Sequence, residues 1–357
     1  MHMIVRQEQE KDQLYSNFIN SLKSPETKKN YSYALKKYMD FHSITKYPDL
    51  MLVDREDKIK QYVIHLSNKG VSKSWFMLLF ASLKTFYEMN DVEDIKWRKL
   101  KRYVGEEQPK HEDRRYMDEE IHKLVQNANL KLKATILLMA SSGVRVGALP
   151  LLIKSHLEKR GDLYKINVYK GQKGKGQYYT FCTPEAAKAI DNYLEFRERC
   201  GEEITPNSPL FRKDFDTNDQ GQARFDVQSW KRARILEAIH KELIKNGMIT
   251  IDHTKYNRKD VKLSHGFRKF FETMLVNAKL HETIIRKLTG HSPNNNLTQL
   301  YSKQTEAEML HEYEKAIDAL TIDPANRLRK KVEKLEVEAS QLQRLQAAVK
   351  ALEMKIK

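Results

Sequence analysis

The sequence predicts a mainly α-helical protein with a small antiparallel β-hairpin or sheet, followed by an amphipathic helix. Apolar residues recur at helical spacing through residues 11–104, which predicts a small helical bundle. A stretch with strand-like alternation begins at Leu163 and is followed by closely spaced glycines. From Leu328 onward, apolar residues recur at steps of three and four, a pattern typical of a coiled-coil seam.

Composition and periodicity divide the 357 residues into four parts. Residues 1–104 hold four helical segments and form the first predicted domain. Residues 105–114 are polar, contain a proline and lack an apolar period, so we expect a linker there. Residues 115–322 form the second predicted domain, of mixed α and β structure, and residues 323–357 form the C-terminal coiled-coil-like helix.

Two short segments of the second predicted domain have strand character. Leu163–Val168 and residues 177–182 flank a glycine-containing connection, which predicts a β-hairpin. The turn between them is basic and carries Lys170, Lys173 and Lys175. Such a turn is either merely solvated by water or a functional cationic element.

The chain is strongly basic, with 64 Lys and Arg residues, 48 Asp and Glu residues and a formal net charge of +16. This charge predicts a polyanionic partner. Nucleic acid is favoured over an anionic membrane, because no surface helix is strongly apolar on one face and basic on the other. No apolar run is long enough to span a bilayer, and the two cysteines form neither a disulfide framework nor a zinc spacing. We therefore expect a soluble, cytoplasmic protein that stays with the DNA.

An ordered set of residues supplies cations, proton carriers and a phenol: Arg145, His265, Arg268, His291 and Tyr301. Helical spacing places His265 and Arg268 about one turn apart, and a glycine-capped helix end sets His291 on a turn. A tyrosine has a free pKa of about 10, so it attacks a phosphodiester only when another group takes its proton. Fixed positive charge must also stabilise the phosphorane. Each residue alone has a structural explanation, but the set together favours phosphoryl transfer.

Three stretches carry these residues. Residues 141–149 read Ser-Ser-Gly-Val-Arg-Val-Gly-Ala-Leu, residues 263–268 read Leu-Ser-His-Gly-Phe-Arg, and residues 288–301 begin Leu-Thr-Gly-His-Ser and end Thr-Gln-Leu-Tyr. In this order they resemble the tyrosine recombinase, or phage integrase, family, which shares its catalytic domain plan with type IB topoisomerases. The resemblance implies an N-terminal core-binding domain that clamps DNA and an α+β catalytic domain.

The resemblance also implies an activity, that of a site-specific DNA recombinase or integrase, and a role for each residue. Tyr301 attacks the scissile phosphate and forms a 3′-phosphotyrosyl intermediate. Arg145 and Arg268 stabilise the charge of the phosphorane, and His265 takes up the tyrosine proton. His291 donates a hydrogen bond to a non-bridging oxygen.

A lysine of the basic turn completes the implied set. Lys173 protonates the departing 5′ oxygen, with Lys175 as the alternative. No cofactor and no metal ion is required. The resemblance further implies a homo-oligomer, a tetramer on two DNA sites. The alternatives are a monomeric DNA-relaxing enzyme of the type IB topoisomerase kind and a DNA-binding protein that has kept the fold without the activity.

The chain departs from the family pattern at two places. Residues 147–148 are Gly-Ala where the family has an acidic or polar residue, and the interval from His291 to Tyr301 is one residue longer than expected. The longer interval leaves Tyr313 as an alternative nucleophile. Tyr256 precedes the histidine motif, so we expect it to pack in the core.

The C-terminal segment has its own apolar period. The apolar positions are Leu328, Val332, Leu335, Ala339, Leu342, Leu345, Val349, Leu352 and Ile356. Steps of four and three with a doubled three after Leu342 predict a coiled-coil helix with a stammer. An isolated helix of this kind is unstable unless something covers the stripe. The cover is either another protomer or the catalytic domain of the same chain.

Overall fold

The structure is a computed structural model, and it describes residues 13–52, 54–105, 113–249, 261–291 and 304–356. The chain divides into two compact units, Met1–Lys110 and His111–Lys357. The division falls within residues 105–114, the segment predicted as a linker. The predicted fold class is confirmed, since the described residues are mainly helical and contain a small antiparallel sheet.

The first unit is a helical bundle around an aromatic core. Its helices are α1 (residues 13–21), α2 (Pro25–Phe41), α3 (Arg55–Asn68), α4 (Lys73–Glu88) and the short α5 (Trp97–Leu100). Ser72 caps α4 by accepting a hydrogen bond from the backbone N–H of Trp75. Phe18, Tyr38 and Phe86 have no exposed surface. The four helical segments predicted from the apolar spacing are present.

The second unit is built around one buried helix. Its helices are α6 (Asp118–Asn127), α7 (Leu130–Ser142), α8 (Pro184–Arg199), α9 (Gln220–Phe225), α10 (Arg232–Lys245), α11 (His265–Asn277), α12 (Glu282–Leu288), α13 (Glu306–Glu314), α14 (Ile317–Leu320) and α15 (Pro324–Ile356). Helix α7 packs against both α8 and α11, and nearly all of its residues are buried. An interior position explains why its sequence is apolar on every side.

The small sheet lies in the second unit. Its strands are β1 (Leu157–Arg160), β2 (Leu163–Val168) and β3 (Tyr178–Cys182), in that order and antiparallel. The predicted hairpin between β2 and β3 is confirmed, with Ile166 opposite Thr180. Strand β1 was not predicted, because its sequence Leu-Glu-Lys-Arg has a single apolar residue and no visible alternation.

Residues 214–224 have few apolar residues and several turn formers, a composition that predicts an exposed loop, but α9 (Gln220–Phe225) begins within them. Asp219 caps this short helix by accepting a hydrogen bond from the backbone N–H of Gln222. The fully buried Arg212 donates a hydrogen bond to the carbonyl oxygen of Ala223 at 2.7 Å and pairs with Glu202 at 2.6 Å. Because hydrogen bonds from a buried arginine stabilise this helix, it needs no apolar stripe. Apolar periodicity therefore could not predict it.

Helix α15 confirms the amphipathic helix that the period from Leu328 predicts. Its first turn is tied to the second unit by Arg327, which contacts Asp118 at 2.5 Å. The apolar side chains are exposed: Leu328 by 65%, Val332 by 45%, Leu335 by 54%, Leu342 by 58% and Leu345 by 64%. The stripe is therefore not docked on the rest of the second unit at these positions. Within the described residues, every helix is too short or too polar to cross a membrane.

Candidate active site

Arg145 is positioned by the end of α7. Gly143 ends the helix with a φ of +62°, and a side chain there would place its Cβ 2.3 Å from the ring of Phe271. The chain therefore turns sharply and directs the half-buried Arg145 toward the end of α12. Its Nη1 atom donates to the carbonyl oxygens of Thr289 at 3.3 Å and Gly290 at 3.4 Å.

Arg268 lies in the first turn of α11 and contacts the C-terminal ends of α7 and α12. The side chain is 5% exposed. Its Nη1 atom donates to the carbonyl oxygen of Gly143 at 2.7 Å, and its Nη2 atom donates to that of Thr289 at 2.6 Å. Carbonyls at helix C-termini carry partial negative charge and lack partners within the helix, so they are suitable acceptors for a buried cation.

His265 lies at the first residue of α11, three residues before Arg268, and is exposed. Gly266 between them permits close packing, because a Cβ there would lie 2.8 Å from the ring of Tyr116. The surrounding protein withdraws part of the imidazole from water and Lys269 adds positive charge, so the pKa of His265 lies below its usual value of 6.5. The ring is therefore neutral at neutral pH and able to accept a proton.

His291 lies on the turn that ends α12. Gly290 has a φ of +61°, and a Cβ there would lie 2.4 Å from the ring of Tyr178. The Nδ1 atom of His291 is 2.7 Å from the hydroxyl of Thr289, and its Nε2 atom is 3.4 Å from Nη2 of Arg268. The Thr289 hydroxyl donates its proton to the carbonyl oxygen of Ile285, so it accepts from Nδ1–H of His291. This leaves the Nε2 lone pair facing Arg268.

The site is strongly cationic. Burial, followed by the nearby charge of Arg145, lowers the pKa of Arg268 from its ordinary value. Burial and the charge of Arg268 likewise lower the pKa of His291. Two guanidinium groups held this close together are an arrangement suited to an anion such as a phosphate.

Glu272 is a functional candidate that the sequence analysis missed. It lies one turn after Arg268 on α11, and its Oε1 atom is 3.2 Å from Nε of Arg268. Its negative charge acts to raise the pKa of Arg268, His265 and His291, against the lowering effects of burial and of neighbouring positive charge. The signal was available in the sequence, because an arginine followed four residues later by a glutamate forms a pair on one helix face.

A cavity of about 440 Å³ borders this cluster. It is lined by Gly176, Gln177, Tyr178, Tyr179, Lys287, Gly290, His291, Gln304 and Met309. The start of β3, the end of α12 and the start of α13 therefore meet beside His291. Lys287 donates a hydrogen bond to Gln304 across this region.

The two lysine candidates lie on the exposed turn between β2 and β3. Gly171 and Gly174 shape the turn, with φ values of +75° and +74°. Both lysines are exposed, and the ammonium group of Lys175 lies 5.0 Å from the ring centre of Tyr169. The structure does not bring either lysine to the arginines, so the choice between them stays a prediction.

The tyrosine candidates fall into two groups. Tyr301 and Tyr256 lie outside the described residues. Tyr313 has no exposed surface, and its hydroxyl donates to the carbonyl oxygen of Ser141 at 2.7 Å. Burial raises the pKa of Tyr313 well above its ordinary value. A buried phenol with this pKa is a core residue, which argues against Tyr313 as the nucleophile.

Comparison with known proteins identifies the fold. No protein-family model and no curated protein sequence matches this chain. The solved structure of the Tn1549 transposon integrase in complex with circular intermediate DNA has a TM-score of 0.57 and 16% identity, and covers 85% of this chain and 98% of that chain. XerH site-specific recombinase bound to palindromic difH substrate, a post-cleavage complex, has a TM-score of 0.53 and 15% identity, and covers 74% of this chain and 73% of that chain. The chain thus has the fold of the tyrosine recombinases and integrases.

Proposed function

We propose that this protein is a site-specific tyrosine recombinase or integrase, which cleaves and rejoins DNA strands. The observation that carries this proposal is the convergence of Arg145, Arg268 and His291 at the end of α12, with His265 one turn from Arg268. Fixed guanidinium groups supply the charge and the N–H donors that a pentavalent phosphorane needs. The similarity in fold to solved integrases and recombinases supports the same conclusion.

The reaction is an exchange of one phosphodiester for another. The phenolate oxygen of Tyr301 attacks the scissile phosphorus, a P–O bond to tyrosine forms, and the P–O bond to the 5′ oxygen breaks. His265 accepts the phenol proton, and Lys173 donates a proton to the departing 5′ oxygen. The phosphotyrosyl bond conserves the energy of the broken bond, so attack by the 5′ hydroxyl of a second strand reverses the step.

Chain connectivity supports Tyr301 as the nucleophile. Gln304 lines the same cavity as His291. Tyr301 precedes Gln304 by three residues, so even an extended chain carries it no farther than about 11 Å away. The buried Tyr313 has no comparable access to the cavity.

His291 changes its hydrogen bonding when phosphate is bound. Its Nδ1–H donates to Thr289, so donation to a non-bridging oxygen requires a second proton, on Nε2. A bound phosphate favours this proton because it adds negative charge beside the ring. In the free protein, the same Nε2 atom faces Arg268.

The partner is double-stranded DNA, which a net charge of +16 attracts without selecting a sequence. Residues 1–104 serve as the core-binding domain and residues 115–322 as the catalytic domain. Strand exchange joins two DNA duplexes, so the working assembly is a homo-oligomer, a tetramer on two sites. The comparison structures support DNA as the partner, since the Tn1549 integrase is bound to circular intermediate DNA and XerH to difH substrate.

The direct test captures the covalent intermediate. The protein is incubated with a pool of nicked duplexes that carry randomised sequence, and adducts are isolated under denaturing conditions and sequenced. We expect protein–DNA adducts that resist denaturation and share a DNA sequence. Mass spectrometry of the adduct should place the DNA on Tyr301.

Two variants make this test decisive. Tyr301→Phe should still bind DNA but form no adduct, because the attacking oxygen is absent. Tyr313→Phe should still form the adduct. An adduct that persists in Tyr301→Phe would move the nucleophile elsewhere, and DNA binding without any adduct in the unaltered protein would leave only a DNA-binding role.

A further inference from the structure

The exposed face of α15 is not explained by the proposed chemistry. Exposed leucine and valine side chains recur along it from Leu328 to Leu345, on a helix that continues to Ile356. A helix of 33 residues is about 50 Å long. An apolar seam from Leu328 to Leu345 on a solvated helix indicates a surface that another helix covers.

The residues beside the seam indicate what covers it. Val332 and Leu335 occupy the a and d positions of a heptad. Lys331 therefore occupies the preceding g position, and Glu336 occupies the following e position. In a parallel, in-register pair, such positions face each other across the two helices five residues apart. Lys331 of each chain then meets Glu336 of the other, twice by symmetry.

The next pair of residues beside the seam is also compatible with such a pair of helices. Glu338 meets the uncharged Gln343 in the same register, so no like charges are opposed. The face opposite the seam carries both signs of charge, which disfavours an anionic lipid surface as the cover. The sequence of α15 is therefore complementary to a second copy of itself.

We infer that α15 pairs with α15 of a second copy as a parallel, two-stranded coiled coil. The pairing itself does not depend on the proposed chemistry. Its use, to join protomers that hold two DNA sites, rests on the proposed function. The salt bridge between Arg327 and Asp118 connects the first turn of α15 to α6. Pairing of two α15 helices therefore also brings two catalytic units together.

Association is tested on the full chain without DNA, by sedimentation equilibrium over a range of protein concentrations. The unaltered protein should dimerise reversibly. Leu335→Glu with Leu342→Glu should weaken dimerisation by about a hundredfold or more, because charge replaces two buried leucines in each chain. The matched control, Ser340→Glu with Gln341→Glu, adds the same charge outside the seam and should dimerise normally.

Orientation is tested by cysteine cross-linking under mild oxidation. Leu335→Cys should cross-link two chains rapidly, because a parallel in-register pair brings equivalent seam positions together. Ser340→Cys, on the outer face, should cross-link far more slowly. A monomer at all concentrations, or equal cross-linking at both positions, would overturn the inference. Because these measurements use no DNA, their failure leaves the adduct test of the proposed function unaffected.

Discussion

At the scale of single residues, the two arginines are expected to contribute most to cleavage. Arg145→Ala or Arg268→Ala should each slow single-turnover cleavage by about a hundredfold or more, the range for loss of one group that stabilises transition-state charge. Arg234→Ala removes an exposed arginine paired with Glu237 and is the control. A thermal melt should separate the two effects for Arg268, whose loss also removes its hydrogen bonds to the carbonyl oxygens of Gly143 and Thr289.

The pH dependence of cleavage depends on His265. The reaction needs the neutral ring, and the pKa of His265 lies below 6.5, so activity should persist down to pH values below 6.5 and then fall as the ring gains a proton. Lys269→Gln removes positive charge that lowers this pKa. The acid limb of the pH–rate profile, where cleavage falls as the ring gains a proton, should therefore move to higher pH. Cleavage rates measured between pH 5 and pH 9 would test this; an acid limb that does not respond to Lys269→Gln would assign it to another group.

Glu272 is predicted to shift the same limb in the opposite direction. Glu272→Gln keeps the shape but removes the negative charge that raises the pKa of His265. The acid limb should therefore move to lower pH, and DNA should bind more tightly at low salt because the positive charge of Arg268 is no longer balanced. The charged and titratable groups that interact with Glu272 include Arg268, His265 and His291. If only the melting temperature changes, Glu272 has a structural role alone.

At the scale of elements, the ends of α7 and α12 determine the geometry of the site. Gly290→Ala forces a side chain into a left-handed conformation, which costs about 1–2 kcal/mol, and against the ring of Tyr178. It should lower both stability and cleavage. Gly161→Ala is the matched control, because its φ is +60° but nothing lies within 4 Å of the added Cβ. Equal cleavage losses in both variants would show that the contact with Tyr178 is unimportant.

The elements also show what the sequence could predict. Glycine marked the end of α12, and apolar spacing marked the bundle, because these signals are local. The contact between Arg145 and Thr289 joins residues 144 positions apart, so no local pattern contains it. Strand β1 and helix α9 were missed because pairing with β2 and a buried arginine stabilise them, respectively, rather than their own periodicity.

At the scale of the whole molecule, the charge that cleavage requires comes from the protein itself. Cleavage is therefore expected to proceed in excess EDTA at the rate seen without it, since guanidinium groups stabilise the phosphorane. The measurement is adduct formation with and without chelator, at constant ionic strength because DNA binding depends strongly on salt. Loss of cleavage in EDTA that magnesium restores would favour a metal-dependent nuclease.

The two arginines are held by main-chain oxygens, those of Gly143, Thr289 and Gly290. A main-chain oxygen is present whatever side chain the residue carries. The hold on the guanidinium groups therefore tolerates substitution of the surrounding side chains, provided that the two helices still end where they do. In the proposed recombinase, mutational robustness of this kind would allow the surface that meets DNA to change its sequence preference without rebuilding the arginine site.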